Sequence, residues 1–199
     1  MTKMQKRGAL ILLAGLLLLG IALCIHLVQK KQDSMAGETA AILLQQLELD
    51  RPAIQPGPNV TAPEVSATPM PEKVYMGYHM LGSIQVPSVG IRLPVLNNWD
   101  EQMLKAAPCR YTGSVPSGDM IIMGHNYKSH FTPLHKVAVG DTVIFTDVEG
   151  IIYNYKVSAI ENLHRSEGEL LASEYPLTLF TCSPGGLNRL VIRCEKAVN

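Results

Sequence analysis

"PLTLFTCSPGGLNRLVIRCEK", residues 176 to 196, decides the fold. Two apolar runs rich in Thr, Val, Ile and Phe flank a Ser-Pro-Gly-Gly turn, the pattern of two β-strands joined by a short connection. Six residues separate Cys182 from Arg189, so the strands form an antiparallel hairpin. Side chains alternate faces along a strand, which puts Thr178, Phe180 and Cys182 on one side and Leu177, Leu179 and Thr181 on the other. Hairpin partners sit side by side, so Arg189 can approach the sulfur. A fixed guanidinium beside a thiol favours the nucleophilic thiolate, and it can stabilise the oxyanion of acyl transfer. The competing reading is a buried structural cysteine, the commoner state of a free thiol.

Working outward, the same texture fills the chain from about Lys73. "GSIQVPSVGIRLPVL", 82–96, gives two strands broken at Pro87-Ser88. "GDMIIMGHN", 118–126, gives a buried strand. "GDTVIFTDVEGIIYNYKVSAIENL", 140–163, gives a hairpin across Asp147-Val148-Glu149-Gly150. Short strands at this spacing predict an all-β barrel or sandwich. One short helix is expected within 98–107.

The N-terminal third is different. Gly8 to Val28 is a continuous run without a formal charge, preceded by Lys3, Lys6 and Arg7. About 20 apolar residues cross a bilayer core, and this run exceeds the apolar core of a cleavable signal peptide. It reads as an uncleaved transmembrane signal-anchor, 8–28, with residues 1–7 in the cytoplasm. Residues 29–50 read as a juxtamembrane helical stalk. Residues 51–72 carry six prolines and read as an extended linker holding the domain, 73–199, away from the membrane. Lys+Arg and Asp+Glu both total 17, which gives no basic excess for nucleic acid.

A nucleophile needs an acid or base, and His125 supplies a candidate because it follows the strand 120–123 and a glycine. His130 and His135 read as packing or surface residues. No metal-ligand spacing is present, and Glu167, Glu169 and Glu174 read as a solvated acidic loop, so no metal or cofactor is expected.

These segments resemble the sortases. "TLFTC", 178–182, is similar to the family's TLxTC signature. "GHN", 124–126, is similar to its strand-end histidine segment. "RLVIR", 189–193, is similar to the strand bearing its arginine. The order also fits, with the cysteine 57 positions after the histidine. The resemblance covers roughly 75–197. It implies a closed β-barrel of about eight strands with one or two short helices, anchored by the N-terminal span outside a Gram-positive-type cell. It implies cleavage of an LPxTG-like sorting motif in secreted proteins through a thioacyl intermediate. An amine of a cell-wall precursor or a pilin lysine then resolves that intermediate. Carried over, Cys182 is the nucleophile, His125 the general acid/base and Arg189 the oxyanion or positioning group, with Arg193 as its competitor. Thr181 and Asn126 are the accompanying substrate contacts. The short 183–188 connection and the modest 164–175 segment leave the class at B-like or unclassified. Three exported cysteines leave one odd, so Cys109 and Cys194 either pair in a disulfide or stand as two buried thiols. Two other readings share these residues: a thiol protease that only hydrolyses, and a non-catalytic binding module.

Overall fold

The computed structural model describes residues 3–53, 55–56, 70–171, 174–183 and 185–197. Helix α1 (Lys3–Leu49) is followed by ten strands: β1 (Gln55–Pro56), β2 (Lys73–Tyr75), β3 (Tyr78–Val86), β4 (Ile91–Leu96), β5 (Cys109–Thr112), β6 (Met120–Met123), β7 (Thr142–Asp147), β8 (Ile151–His164), β9 (Leu177–Cys182) and β10 (Asn188–Lys196). A short helix α2 (Glu101–Ala106) lies between β4 and β5, capped by Asp100, whose carboxylate accepts from the Gln102 and Met103 amides. Strands β3 to β10 close into an eight-stranded barrel in the order β3-β4-β5-β6-β9-β10-β8-β7, with β7 returning to β3. The all-β closed barrel is therefore the fold: the strand spacing left barrel and sandwich open, and the family resemblance implied the barrel.

Alternation sorts the barrel's residues. Ile84, Val86, Leu93, Val95, Met120, Ile122, Phe145, Leu177, Leu179, Leu190 and Ile192 fill the interior. Ile121, Phe180 and Val191 point outward and are covered by Leu171 from the β8–β9 connection.

The stalk expectation is corrected by α1. Its 47 residues form one uninterrupted helix, about 70 Å long. Lys30, Lys31 and Gln32 tolerate helix, and no proline interrupts the run. Ala36, Ala40, Leu43 and Leu47 recur at helical spacing and are at most 4% exposed. Leu43 and Leu47 pack with Met80, Leu96, Leu104, Cys109 and Val148. Residues 29–50 are thus partly barrel wall rather than a free spacer. Most of the 51–72 linker lies outside the described residues, and its spacing role with it. N-terminal to the docked half, Leu12 to Val28 is apolar and exposed except at Gly15, in a helix long and apolar enough to cross a membrane.

Cys109 and Cys194 do not pair; both are free and fully buried. Cys109 faces outward beneath α1, whereas Cys194 faces the barrel interior. Three strand spacings separate β5 from β10 around the wall, roughly 14 Å, well beyond the reach of a disulfide. Burial pushes both thiols up to about 12.

Candidate active site

Strand β9 delivers the cysteine. Its last residue, Cys182, is exposed and pairs directly with Arg189, the second residue of β10. The turn is closed by the Ser183 amide donating to the Asn188 carbonyl at 2.8 Å and the Gly186 amide to the Ser183 carbonyl at 2.8 Å. Gly185 and Gly186 have φ of 88° and 72°, a left-handed pair that non-glycine residues adopt at a cost.

Arg189 is placed but not consumed. Its guanidinium carbon stands 5.7 Å from the Phe180 ring centroid, and Gly168 leaves room for Nη1. Among the described residues no carboxylate or hydrogen-bond acceptor holds it. Arg193 is the opposite case. It is 3% exposed, and its Nε and Nη2 both donate to Glu161 Oε2 at 3.1 Å. Nη1 donates to the Leu171 carbonyl at 2.9 Å and to Thr178 Oγ1 at 3.3 Å. Arg193 therefore pins the β8–β9 connection to the barrel. Arg193→Ala is expected to lower stability by about 1–3 kcal/mol, since it removes the buried bonds to the Leu171 carbonyl and Thr178 and leaves those acceptors unpaired. Arg189→Ala is expected to leave stability near wild type and to lower kcat/KM about 10²-fold or more, if the guanidinium meets an oxyanion. Urea melts beside turnover of a motif peptide separate the two effects.

His125 reaches the site from β6. That strand runs parallel to β9 with Met123 opposite Phe180, and the Gly124 amide donates to the Phe180 carbonyl at 3.1 Å. The two strand ends are thus adjacent, and His125 follows the last paired residue of β6 by two positions as Cys182 follows Phe180. Gly124 is required sterically, because a Cβ there would lie 2.6 Å from the Phe131 ring. The His125 imidazole stacks on Tyr127 with centroids 4.6 Å apart, and its buried Nε2 has no hydrogen-bond partner. Burial lowers its pKa, with Glu101 opposing, so the neutral ring is favoured. The unpartnered ring nitrogen past the strand end makes His125 a candidate proton-transfer group.

The accompanying residues divide. Thr181 is corrected as a substrate contact: its side chain is 1% exposed and faces the barrel interior, on the opposite side of β9 from Cys182. Asn126 Oδ1 accepts from Thr132 Oγ1 at 2.8 Å, which braces the loop after His125. Among the described residues no cluster of His, Cys, Asp or Glu could hold a metal.

His130, read as a packing or surface residue, is a packing residue. It is 1% exposed, lies against the backbone of Ala36 and Ala106, and burial pushes its pKa down to about 4 against their opposing effect. Above its unfolded value near 6.5 the residue is neutral in both states and affects nothing. Below that pH the unfolded chain binds the proton first, so stability falls as pH drops toward 4. The loss is on the order of 3 kcal/mol. His130→Asn should flatten the 6.5-to-4 portion of a plot of urea midpoint against pH, relative to wild type.

Sequence reasoning missed a cleft of about 410 Å³ between the β4–α2 loop and β5, lined by Asn97, Trp99, Arg110 and Tyr111. Trp99 stacks on Tyr111 at 5.7 Å, Tyr111 meets the Phe180 edge at 5.5 Å, and Phe180 carries Arg189. An aromatic path thus joins the cleft to the Cys182–Arg189 pair on the barrel's outer face.

Residues 84–197 match the family model described as the sortase domain. No curated protein matches the chain. Among solved structures, sortase C of Clostridium perfringens with the C-terminal cell wall sorting motif is similar at 26% identity and TM-score 0.54, over 60% of this chain and 71% of that one. Sortase C1 of Streptococcus agalactiae is similar at 28% identity and TM-score 0.52, over 59% and 67%. Sortase C1 of Streptococcus suis is similar at 25% identity and TM-score 0.53, over 60% and 74%. All three are class C, not class B.

Proposed function

Because the chain belongs to the sortase family, we propose that it is a membrane-anchored cysteine transpeptidase whose site is Cys182, His125 and Arg189. Cys182 sulfur attacks the scissile carbonyl of an LPxTG-like sorting motif, and the developing oxyanion meets the Arg189 guanidinium. His125, neutral at rest, takes the Cys182 thiol proton as the sulfur attacks. The C–N bond then breaks as the imidazolium passes that proton to the leaving amine, giving a thioacyl enzyme. An amine of a cell-wall precursor or a pilin lysine attacks this carbonyl and gives its proton to His125. The C–S bond breaks, His125 returns the proton to the sulfur, and a new amide is released. The barrel lies outside the cytoplasm in this reading, with the apolar half of α1 as a single span. No cofactor takes part.

The observation that carries the reading is the guanidinium, without an acceptor among the described residues, held directly across from an exposed thiol, with the unpartnered His125 imidazole just past the end of the neighbouring strand. The aromatic path from Trp99 to Phe180 offers the peptide a surface on the same outer face. The test is mass spectrometry of the full chain incubated with sorting-motif peptides and amine acceptors. An adduct on Cys182 followed by an amide-exchanged product supports transpeptidation. An adduct that yields only free acid means a hydrolase. No adduct with any peptide sinks the catalytic reading.

A further inference from the structure

The barrel touches α1 almost as soon as the apolar run ends. Asp33 is five residues past Val28, about 7.5 Å along the helix axis. There the Ser129 amide donates to Asp33 Oδ1 at 3.0 Å, and Ser129 Oγ donates to Asp33 Oδ1 at 2.6 Å and to its carbonyl at 3.0 Å. A Cβ on Gly37 would stand 2.9 Å from Ser129 Cβ, so helix and loop are in close contact. Next to them, Gln32, Met35, Lys105 and Tyr127 line one cleft. The headgroup layer on each side of the hydrocarbon is about 5–8 Å deep. The 127–130 loop and the end of α2 therefore lie at headgroup level.

Four cations ring this level: Lys30 and Lys31 on α1, Lys105 on α2 and Lys128 on the loop, all exposed. The nearby carboxylates offset them only in part. Asp33, hydrogen-bonded to Ser129, and Glu101, near His125, lie at this level, and Glu38 stands about 15 Å beyond the apolar edge. The four lysines leave the rim with a cationic excess.

We propose that this rim is a lipid-binding surface: Lys30, Lys31, Lys105 and Lys128 seat the barrel on anionic headgroups, with the loop that carries His125 at the membrane surface. The proposal rests on α1 crossing the bilayer, and not on the catalytic reading. Long cationic side chains reach phosphates while their stems cover apolar surface, and such clusters bind anionic lipid in a salt-dependent way. The opposite side of the barrel is held clear. Lys73 Nζ donates to the Asp50 carbonyl, 22 residues past Val28 and about 33 Å from the apolar edge.

The test uses the full chain carrying Cys24→Ser and Cys182→Ala, reconstituted in vesicles with and without phosphatidylglycerol. A fluorophore is attached at Leu17→Cys, Lys128→Cys or Val74→Cys in turn. Acyl-chain nitroxide lipid should quench the label at 17. Headgroup nitroxide lipid should quench the label at 128 several-fold more than that at 74. Quenching at 128 should fall with added salt, and when phosphatidylglycerol is omitted. An unquenched label at 17 overturns the span and the seat together. A quenched 17 with equal quenching at 128 and 74 overturns the seat alone, and so does quenching at 128 that ignores lipid charge and salt. Because Cys182 is absent, none of these outcomes depends on turnover.

Discussion

Cys182→Ala is expected to abolish every covalent adduct and all motif cleavage while the barrel unfolds as the wild type does. In the proposed mechanism the effect is total, because the bond that splits the reaction into two steps forms at Cys182 sulfur. In that mechanism neither His125 nor Arg189 can replace it, since each lowers a barrier that no longer has a nucleophile behind it. Stability is expected to change by less than about 0.5 kcal/mol. The thiol is exposed at the last position of β9, where it fills no cavity. The register that holds Arg189 comes from the backbone of β9 and β10 and survives the substitution. Intact-mass analysis with a motif peptide, read beside a urea melt, checks both halves. Residual cleavage by the variant would remove Cys182 from the mechanism. A large loss of stability would instead recast it as a packing residue.

The second large effect lies far from the chemistry. Leu47→Asp is expected to destabilise the barrel by more than about 4 kcal/mol, and Leu43→Ala by about 2–5 kcal/mol. Leu47 is 0% exposed and Leu43 1%, both against Met80, Leu96 and Cys109 on the barrel's outer wall. A carboxylate at 47 has no partner there and must be buried or undock the helix. Urea midpoints of the full chain in detergent measure this, with Ile42→Asp as the control. Ile42 lies on the same helix but is 47% exposed, so its substitution should cost little. Equal effects at 42 and 47 would mean that α1 does not dock. The same docking argues that a soluble fragment starting at residue 73 exposes Met80, Leu96 and Leu104, which α1 covers.

How much of this was legible depends on which residues one takes. Strands β6, β9 and β10 announce themselves because β-branched and aromatic residues run unbroken between glycine or proline turns. The hairpin spacing then fixes the Cys182–Arg189 register. Arg193 was separable from Arg189 by distance from the turn, although its bond to Glu161 was not foreseeable, since β8 pairs with β10 only in three dimensions. Strand β5 escaped notice because it is four residues long, follows the α2 tail and has a register break between Arg110 and Thr112. The docked face of α1 was hidden for another reason. Met35, Ile42 and Leu49 are apolar too, yet 57%, 47% and 72% exposed, so apolar residues fall on the outer face as well and blur the docked stripe. Thr181 shows the limit of reading by proximity, since a residue next to the nucleophile in a strand points away from it.

Of the four cysteines, Cys109 and Cys194 are sealed in apolar clusters with thiols pushed up to about 12, and Cys24 sits in the apolar run of α1. Cys182 alone meets solvent on the barrel. With the apolar half of α1 in a bilayer, as proposed, a water-soluble alkylating reagent therefore has one target on the folded chain. The number of labels taken up counts intact sites directly, and protection of that label by a peptide measures occupancy without turnover.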